Sequence, residues 1–390
     1  MKGMPIKCGF VPLVDSAPLI VANELSFAAD EGIKLDLQRQ PSWAALRDLL
    51  ASGHLDVAHM LSPMPIAMAL GLSGVSAQIH APMMISVNGN VVGVSSAHAE
   101  VMRSQGWLGR FDDPIGSARA LLSGLKGPLR VGIPFPHSMH RLLFEYWLNA
   151  ASGNAPSAVE LITIPPPLMA EKVASGEIDA FCVGEPWGTV AVESGVGEIV
   201  LPGTSIWAFS PEKVLGVRED VIEAREDEVG ALMRAIYRAA RWLDTPGNHI
   251  LASEILARSD HLNIPDQAID RALSGNILPS LVGQPIHVSN FLRFHRAAAT
   301  FPWRSQAAWI AAQTAKTHHV PEEKAIAVAE RIMRPDLYRA HLAPLGVDMP
   351  GASSKVEGAM SHRMAVASTA GNMILGPDAF FDGAVFDFSR

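Results

Sequence analysis

Along residues 6–94 the hydrophobic pattern switches repeatedly between two periods. IKCGFVPL reads as a strand, and APLIVANELSFAADEG carries helical apolar spacing up to Gly32. IKLDLQRQ alternates with period two, as a half-buried strand does. SWAALRDLLASG reads as a helix with Ser42 as N-cap and Gly53 past its end, and LDVAHML as a short buried strand. The order strand–helix–strand–helix–strand predicts a largely parallel sheet covered by helices. It restarts near residue 129, with PLRVGIPF, SMHRLLFEYWLNAASG, VELITIPP, PLMAEKVASG and IDAFCVG. Two segments, ASGHLDVAHMLSP from Ala51 and ASGEIDAFCVGEP from Ala174, hold the same place in the two cycles. Each closes a helix with Ser-Gly, enters a buried strand through aliphatic-Asp and ends on proline.

This repetition predicts two α/β lobes of similar build. Ligands of open α/β sheets bind beyond the carboxyl ends of the strands. The loops 60–65 and 184–187 lie there, which makes Pro63, Gly184 and Glu185 candidates for the walls of a cleft between the lobes. The expected division puts residues 1–94 and 206–390 in lobe I, and 95–205 in lobe II. From about residue 218 the pattern turns helical. EDEVGALMRAIYRAARWLDT is amphipathic, acidic first and basic later, which suits the helix dipole. Further helices are expected near 249–259, 265–274, 286–299 and 321–333. Residues 351–390 are rich in Gly, Ala, Ser and Met and end in GAVFDFSR, a tail suited to docking on the body or on a partner.

The 390 residues are 48% hydrophobic and 18% charged, an ordinary globular balance. A net charge of −8 argues against a nucleic-acid binder, which would show a basic face. Cys8 and Cys182 lie in unrelated segments without metal spacing, so a reducing compartment fits. Lys7, Gly9, Pro12 and Asp15 interrupt any secretory-type apolar run, and no stretch approaches the roughly 18–20 apolar residues of a membrane span. A cytoplasmic protein is expected.

No phosphate-binding loop, His-Glu-x-x-His motif or nucleophile elbow is present. Cys182 sits inside an apolar strand, as a structural cysteine does. There remain polar residues at loop positions: Trp43, Asn88 and Asn90 around Gly89, His140, Glu185 with Trp187, and Lys213. Each has a plain alternative as a core ring, a turn, a cap or a surface charge. Together they suit a small anion, because Trp donates only, Lys is a compact cation, His can donate and helix N-termini attract anions. No nucleophile stands beside a base, which favours binding over catalysis.

At these residues the chain resembles the nitrate- and bicarbonate-binding proteins of ABC importers, the NrtA/CmpA family. The likeness rests on GFVPLVDSAPLIVANE, SWAALRDLLASGHLDVAHMLSPMP, NGNVVGVS, HRLLFEYWL, PPPLMAEKVASGEIDAFCVGEPW and SPEKVLGVRED. The resemblance implies a type II periplasmic-binding-protein-like clamp that closes on its ligand, with Trp43, Asn90, His140 and Lys213 as anion contacts. Asn90 stands where the nitrate binders have Gln. Lys213 stands where the bicarbonate branch has an acidic residue and uses calcium, so the resemblance implies nitrate or nitrite with no metal or other cofactor. Starting directly on its first strand, the chain is most similar to the cytoplasmic nitrate/nitrite sensors of the NasS type. Such a sensor holds a NasT-like ANTAR-domain antiterminator and releases it on binding ligand, touching neither nucleic acid nor membrane itself. Two alternatives stand beside this: the binding component of an importer, and an enzyme of the pyrimidine-synthesising clamp branch, whose cysteine-rich motif is absent.

Overall fold

The computed structural model describes residues 3–123, 125, 127–152 and 159–388. The first cycle forms β1 (Ile6–Phe10), β2 (Leu35–Arg39) and β3 (Val57–Leu61), with β1 parallel to both others. The second forms β7 (Leu129–Ile133), β8 (Val159–Thr163) and β9 (Ala180–Gly184), with β7 parallel to both others. Even the register repeats: Cys8 and Gly9 face Val57 and Ala58, while Val131 and Gly132 face Ala180 and Phe181. β3 and β9 are buried along their whole length between neighbours on both sides, which explains their mostly apolar runs, interrupted in β3 by His59.

Six further strands among the described residues complete the sheets. β4 (Ile79–His80), β5 (Met84–Asn88), β11 (Pro211–Arg218) and a short strand at Leu292–Arg293 join the first, and β6 (Asn90–Ser95) and β10 (Gly197–Pro202) join the second, all antiparallel to their neighbours. The chain therefore leaves the first sheet at Gly89 and returns through residues 203–210. Residues 90–94, expected with lobe I, pair instead in the second sheet, because β6 starts directly after the crossing. Asn88 and Gly89 take φ values of +63° and +92°, which asparagine and glycine tolerate best. The Asn88 amide donates to Ala208 O at 3.1 Å and Asn290 O at 2.9 Å, and its oxygen accepts from Ser210 N at 2.8 Å. Asn-Gly-Asn is thus the pinned crossing between the lobes.

Ser42 caps the helix Trp43–Ala51 by accepting from Ala45 N at 3.2 Å. The stretch read as one helix after β1 is two, Ala17–Glu24 and Phe27–Asp30, broken where Ser26 turns left-handed at φ +63°. The helix expected at 286–299 does not form. Leu292 and Arg293 pair with Val87 and Asn88 as an edge strand. The Asp244 carboxylate accepts from the backbone N–H groups of Phe294, His295 and Arg296, which a helix would need for itself. Ala297 and Ala298 then sit at positive φ. A helix at Arg304–His318 escaped notice because nearly every residue along its first three turns is buried, so it shows no polar face.

The tail docks on the body. Phe380 stacks on Trp207 at 4.6 Å, beside the return crossing, and lies 5.3 Å from the Tyr146 ring of lobe II. Gly153, the expected end of the second-cycle helix, and Ser389 and Arg390 lie outside the described residues. No helix among the described residues is long and apolar enough to cross a membrane.

Candidate functional site

Seven polar or aromatic side chains meet where the carboxyl ends of the parallel strands of both sheets converge. Asp15 follows β1, Trp43 opens the helix after β2, and His59 lies within β3. Asn90 begins β6, and His140 sits in the first turn of the helix Met139–Ser152. Glu212 and Lys213 come from β11. Successive strand residues normally face opposite ways. Here the pairing of β11 with β5 slips on both sides of Lys213, so that both side chains reach one cluster. No member is more than 2% exposed.

Lys213 is the centre. Its Nζ lies 2.6 Å from Asp15 Oδ2 and 2.8 Å from Glu212 Oε1, and 5.5 Å from the centre of the Trp43 ring. The second Asp15 oxygen lies 2.9 Å from His59 Nε2. Glu212 Oε2 accepts from Asn90 Nδ2 at 3.0 Å, and Oε1 lies 3.4 Å from His140 Nδ1. A Cβ on Gly203 would fall 1.8 Å from Asn90 Oδ1, so a glycine there leaves the amide its place. Four buried polar atoms of the cluster have neither a hydrogen-bond nor an ion-pair partner among the described residues: Trp43 Nε1, His140 Nε2, His59 Nδ1 and Asn90 Oδ1. Buried polar atoms are normally paired, so this concentration makes the cluster the candidate ligand site.

Burial works against charge at Asp15, but Lys213 and His59 outweigh it and hold the carboxyl well below its usual range. Burial likewise disfavours the Lys213 ammonium, yet Asp15 and Glu212 raise it above its ordinary value. Glu212 goes the other way: burial pushes it up to about 7, with Lys213 opposing. Burial keeps His140 and His59 low and therefore neutral, with Lys213 adding to the effect on both. At neutral pH the cluster holds one firm ion pair, one carboxyl near its midpoint and two neutral imidazoles.

The structure brings together Trp43, Asn90, His140 and Lys213. Gly184 forms the adjoining wall, where a Cβ would lie 3.6 Å from both His140 Nε2 and Asp15 Oδ2. Glu185 and Pro63 are not drawn into the cluster. The Glu185 carboxylate caps its own following turn, accepting from Thr189 N at 3.0 Å, while its carbonyl accepts from Val14 N across the lobes at 2.9 Å. Pro63 opens the helix Pro63–Ala69 and lines a small cavity at the seam with His137, Arg141 and His318. Trp187 adds a second tie between the lobes, from its indole N–H to Pro12 O at 2.8 Å. The buried Cys182 thiol is pushed far up by burial, which leaves it inert. Sequence reasoning missed Asp15, His59 and Glu212. The available signal was a charged or titratable residue inside or bordering an apolar strand.

Residues 2–257 match the NMT1-like family. The chain belongs to the NMT1-like family. The nitrate/nitrite binding protein NrtA of Nostoc sp. PCC 7120 is 28% identical over 390 residues, covering 98% of this chain and 82% of that protein. The nitrate import ATP-binding protein NrtC of Synechocystis sp. PCC 6803 is 30% identical over 350 residues, covering 89% of this chain. The chain spans about half the length of that relative, 51%. Among solved structures, the periplasmic nitrate-binding protein NrtA from Synechocystis PCC 6803 superposes with a TM-score of 0.86 at 25% identity, covering 99% of this chain and 96% of that one. The resemblance to NrtA/CmpA-type binding proteins thus holds along the whole chain, and with it the two-lobed clamp. The relatives that match along nearly the whole chain are named as nitrate- or nitrite-binding proteins.

Proposed function

We propose that the chain binds nitrate or nitrite in the buried cluster between its lobes, and that it acts as a cytoplasmic sensor whose ligand-bound form releases an ANTAR-domain, NasT-like antiterminator. One observation carries the anion reading: a buried lysine on a bulged strand shares one cluster with the unpaired Trp43 Nε1 and His140 Nε2, one from each lobe. An anion placed among them gains a charge-assisted hydrogen bond and neutral donors where no water competes. Trp43, Asn90, His140 and Lys213 are its contacts and Gly184 its wall. Glu185 and Pro63 serve the seam instead. The names of relatives matching nearly the whole chain support the same ligand.

Because both lobes contribute, the ligand favours the closed arrangement through its differential affinity for it. A partner that binds the open arrangement better is then expelled, and antagonises the ligand in return. A coupling of about 1–3 kcal/mol changes partner affinity roughly 5–150-fold. Two free, buried cysteines agree with a reducing compartment. The test is gel filtration of the chain with an ANTAR-domain partner, with and without nitrate or nitrite. The complex should dissociate with either anion; a complex indifferent to both at saturation would sink the sensor reading. The second reading, an importer's binding component, is favoured by the periplasmic relative. It predicts no complex with the antiterminator and stimulation of a cognate ATPase instead.

A further inference from the structure

We propose that Glu212 is a specificity-determining residue that makes the site take its anion together with a proton. The inference rests on the anion reading above and adds what the anion must bring with it. Lys213 is the only lysine or arginine in the cluster among the described residues, and it is already shared between two carboxylates, at 2.6 and 2.8 Å. With both ionised, the enclosed cluster carries one net negative charge. A bare monovalent anion would add a second in a site without solvent, where an uncompensated ion costs several kcal/mol. One proton taken up with the anion leaves the charge of the cluster unchanged.

The groups facing Glu212 decide where that proton goes. Lys213 from its own strand and His140 from the lobe II helix approach Oε1, and Asn90 from β6 donates to Oε2. Asp15, from the loop after β1, lies beyond Lys213, with His59 of β3 behind it, and the Cys182 thiol of β9 adds no charge. Asp15 is held on both oxygens, by Lys213 and His59. The imidazoles are kept neutral by burial and by Lys213. Glu212 is left as the acceptor, and the proton belongs on Oε1, because the neutral His140 Nδ1 at 3.4 Å can accept its O–H, whereas Oε2 faces only the donating Asn90 amide. There it changes the geometry as well as the charge. Lys213 loses one of its two acceptors and gains a free N–H for the anion. The carboxyl becomes a donor where it was an acceptor. The proton comes from solvent, forms one O–H bond and returns on release. Burial, which pushes Glu212 up to about 7, prepares it for this step at neutral pH.

The test is calorimetric titration with sodium nitrate and sodium nitrite at about pH 8 in phosphate, HEPES and Tris, whose ionisation enthalpies differ, for wild type and Glu212→Gln. Wild type should take up close to one proton per anion, and its affinity should fall about tenfold per pH unit above neutrality. Glu212→Gln should take up none and bind with an affinity flat in pH. Difference infrared spectroscopy of wild type gives an independent readout, a protonated carboxyl band that grows on nitrate addition. Binding without proton uptake, or full uptake by Glu212→Gln, would overturn the proposal and leave the anion reading standing. No binding of either anion by wild type at any pH would remove the anion reading itself.

Discussion

The two lobes repeat one another in topology and register, yet they bring different chemistry to the site. Lobe I supplies all the formal charge, with Asp15 and Lys213 paired at 2.6 Å and Glu212 at 2.8 Å. Lobe II supplies Asn90, a neutral His140 and the small Gly184. The difference is visible in the repeat itself. Where the third strand of the first cycle carries His59 against Asp15, that of the second carries Cys182 in the midst of Ala, Phe and Val. Pairing within the charged half offsets part of the cost of holding its ions out of water. An uncharged half then closes on it without carrying charge out of water.

Breaking the charged half should have the largest effect. Lys213→Met leaves Asp15 and Glu212 buried without their cation, and is expected to cost about 3–5 kcal/mol of stability, read by denaturant unfolding. Nitrate affinity should fall roughly ten- to hundredfold with loss of the charge-assisted contact. Gly203→Ala attacks the join instead. Its Cβ cannot share space with Asn90 Oδ1, so the amide is displaced from Glu212, at about 1–3 kcal/mol of stability and with weaker anion binding. Breaking the neutral half is milder: His140→Ala removes one uncharged donor and should weaken nitrate binding about fivefold by titration.

The two kinds of buried titratable group respond to pH in opposite directions. Glu212 has a folded value of about 7, raised from 4.5. Its contribution to stability is therefore full below about pH 4.5 and is lost as pH rises to about 7. His59 and His140 are lowered in the folded state, so their contribution runs the other way and is lost as pH falls below about 6.5. The unfolding free energy of Glu212→Gln minus that of wild type should therefore grow from about pH 5 to 7.5, by roughly 3 kcal/mol at most. A flat difference would place the Glu212 proton elsewhere. The smallest effect is expected away from the cluster's polar atoms, where Ser42→Ala removes a helix cap worth about 1 kcal/mol.

Most of the lobe architecture was legible in the chain because strands and helices have different periods, and each cycle holds both. Trp43, Asn90, His140 and Lys213 were legible because they stand at strand or helix ends in segments that resemble the NrtA/CmpA proteins. Their carboxylate partners were not. Glu212 reaches the cluster only because a bulge turns two neighbouring residues the same way, and Asp15 meets Lys213 across about two hundred positions of sequence. The Arg304–His318 helix left no amphipathic trace because it is covered on nearly all sides. The false helix at 286–299 shows the opposite failure. Its alanines favour helix locally, but Asp244 claims the N–H groups that would have begun it.

This cluster is proposed to hold a small monovalent anion without metal. Calorimetric titration of the purified chain in metal-free buffer with nitrate, nitrite, chloride, and bicarbonate plus calcium tests it directly. Nitrate or nitrite should bind with micromolar affinity, chloride should give weak or no heat, and bicarbonate with calcium none. Silence with both nitrogen oxyanions, with heat from bicarbonate and calcium, would contradict it and assign Glu212 rather than Lys213 as the residue that meets the ligand.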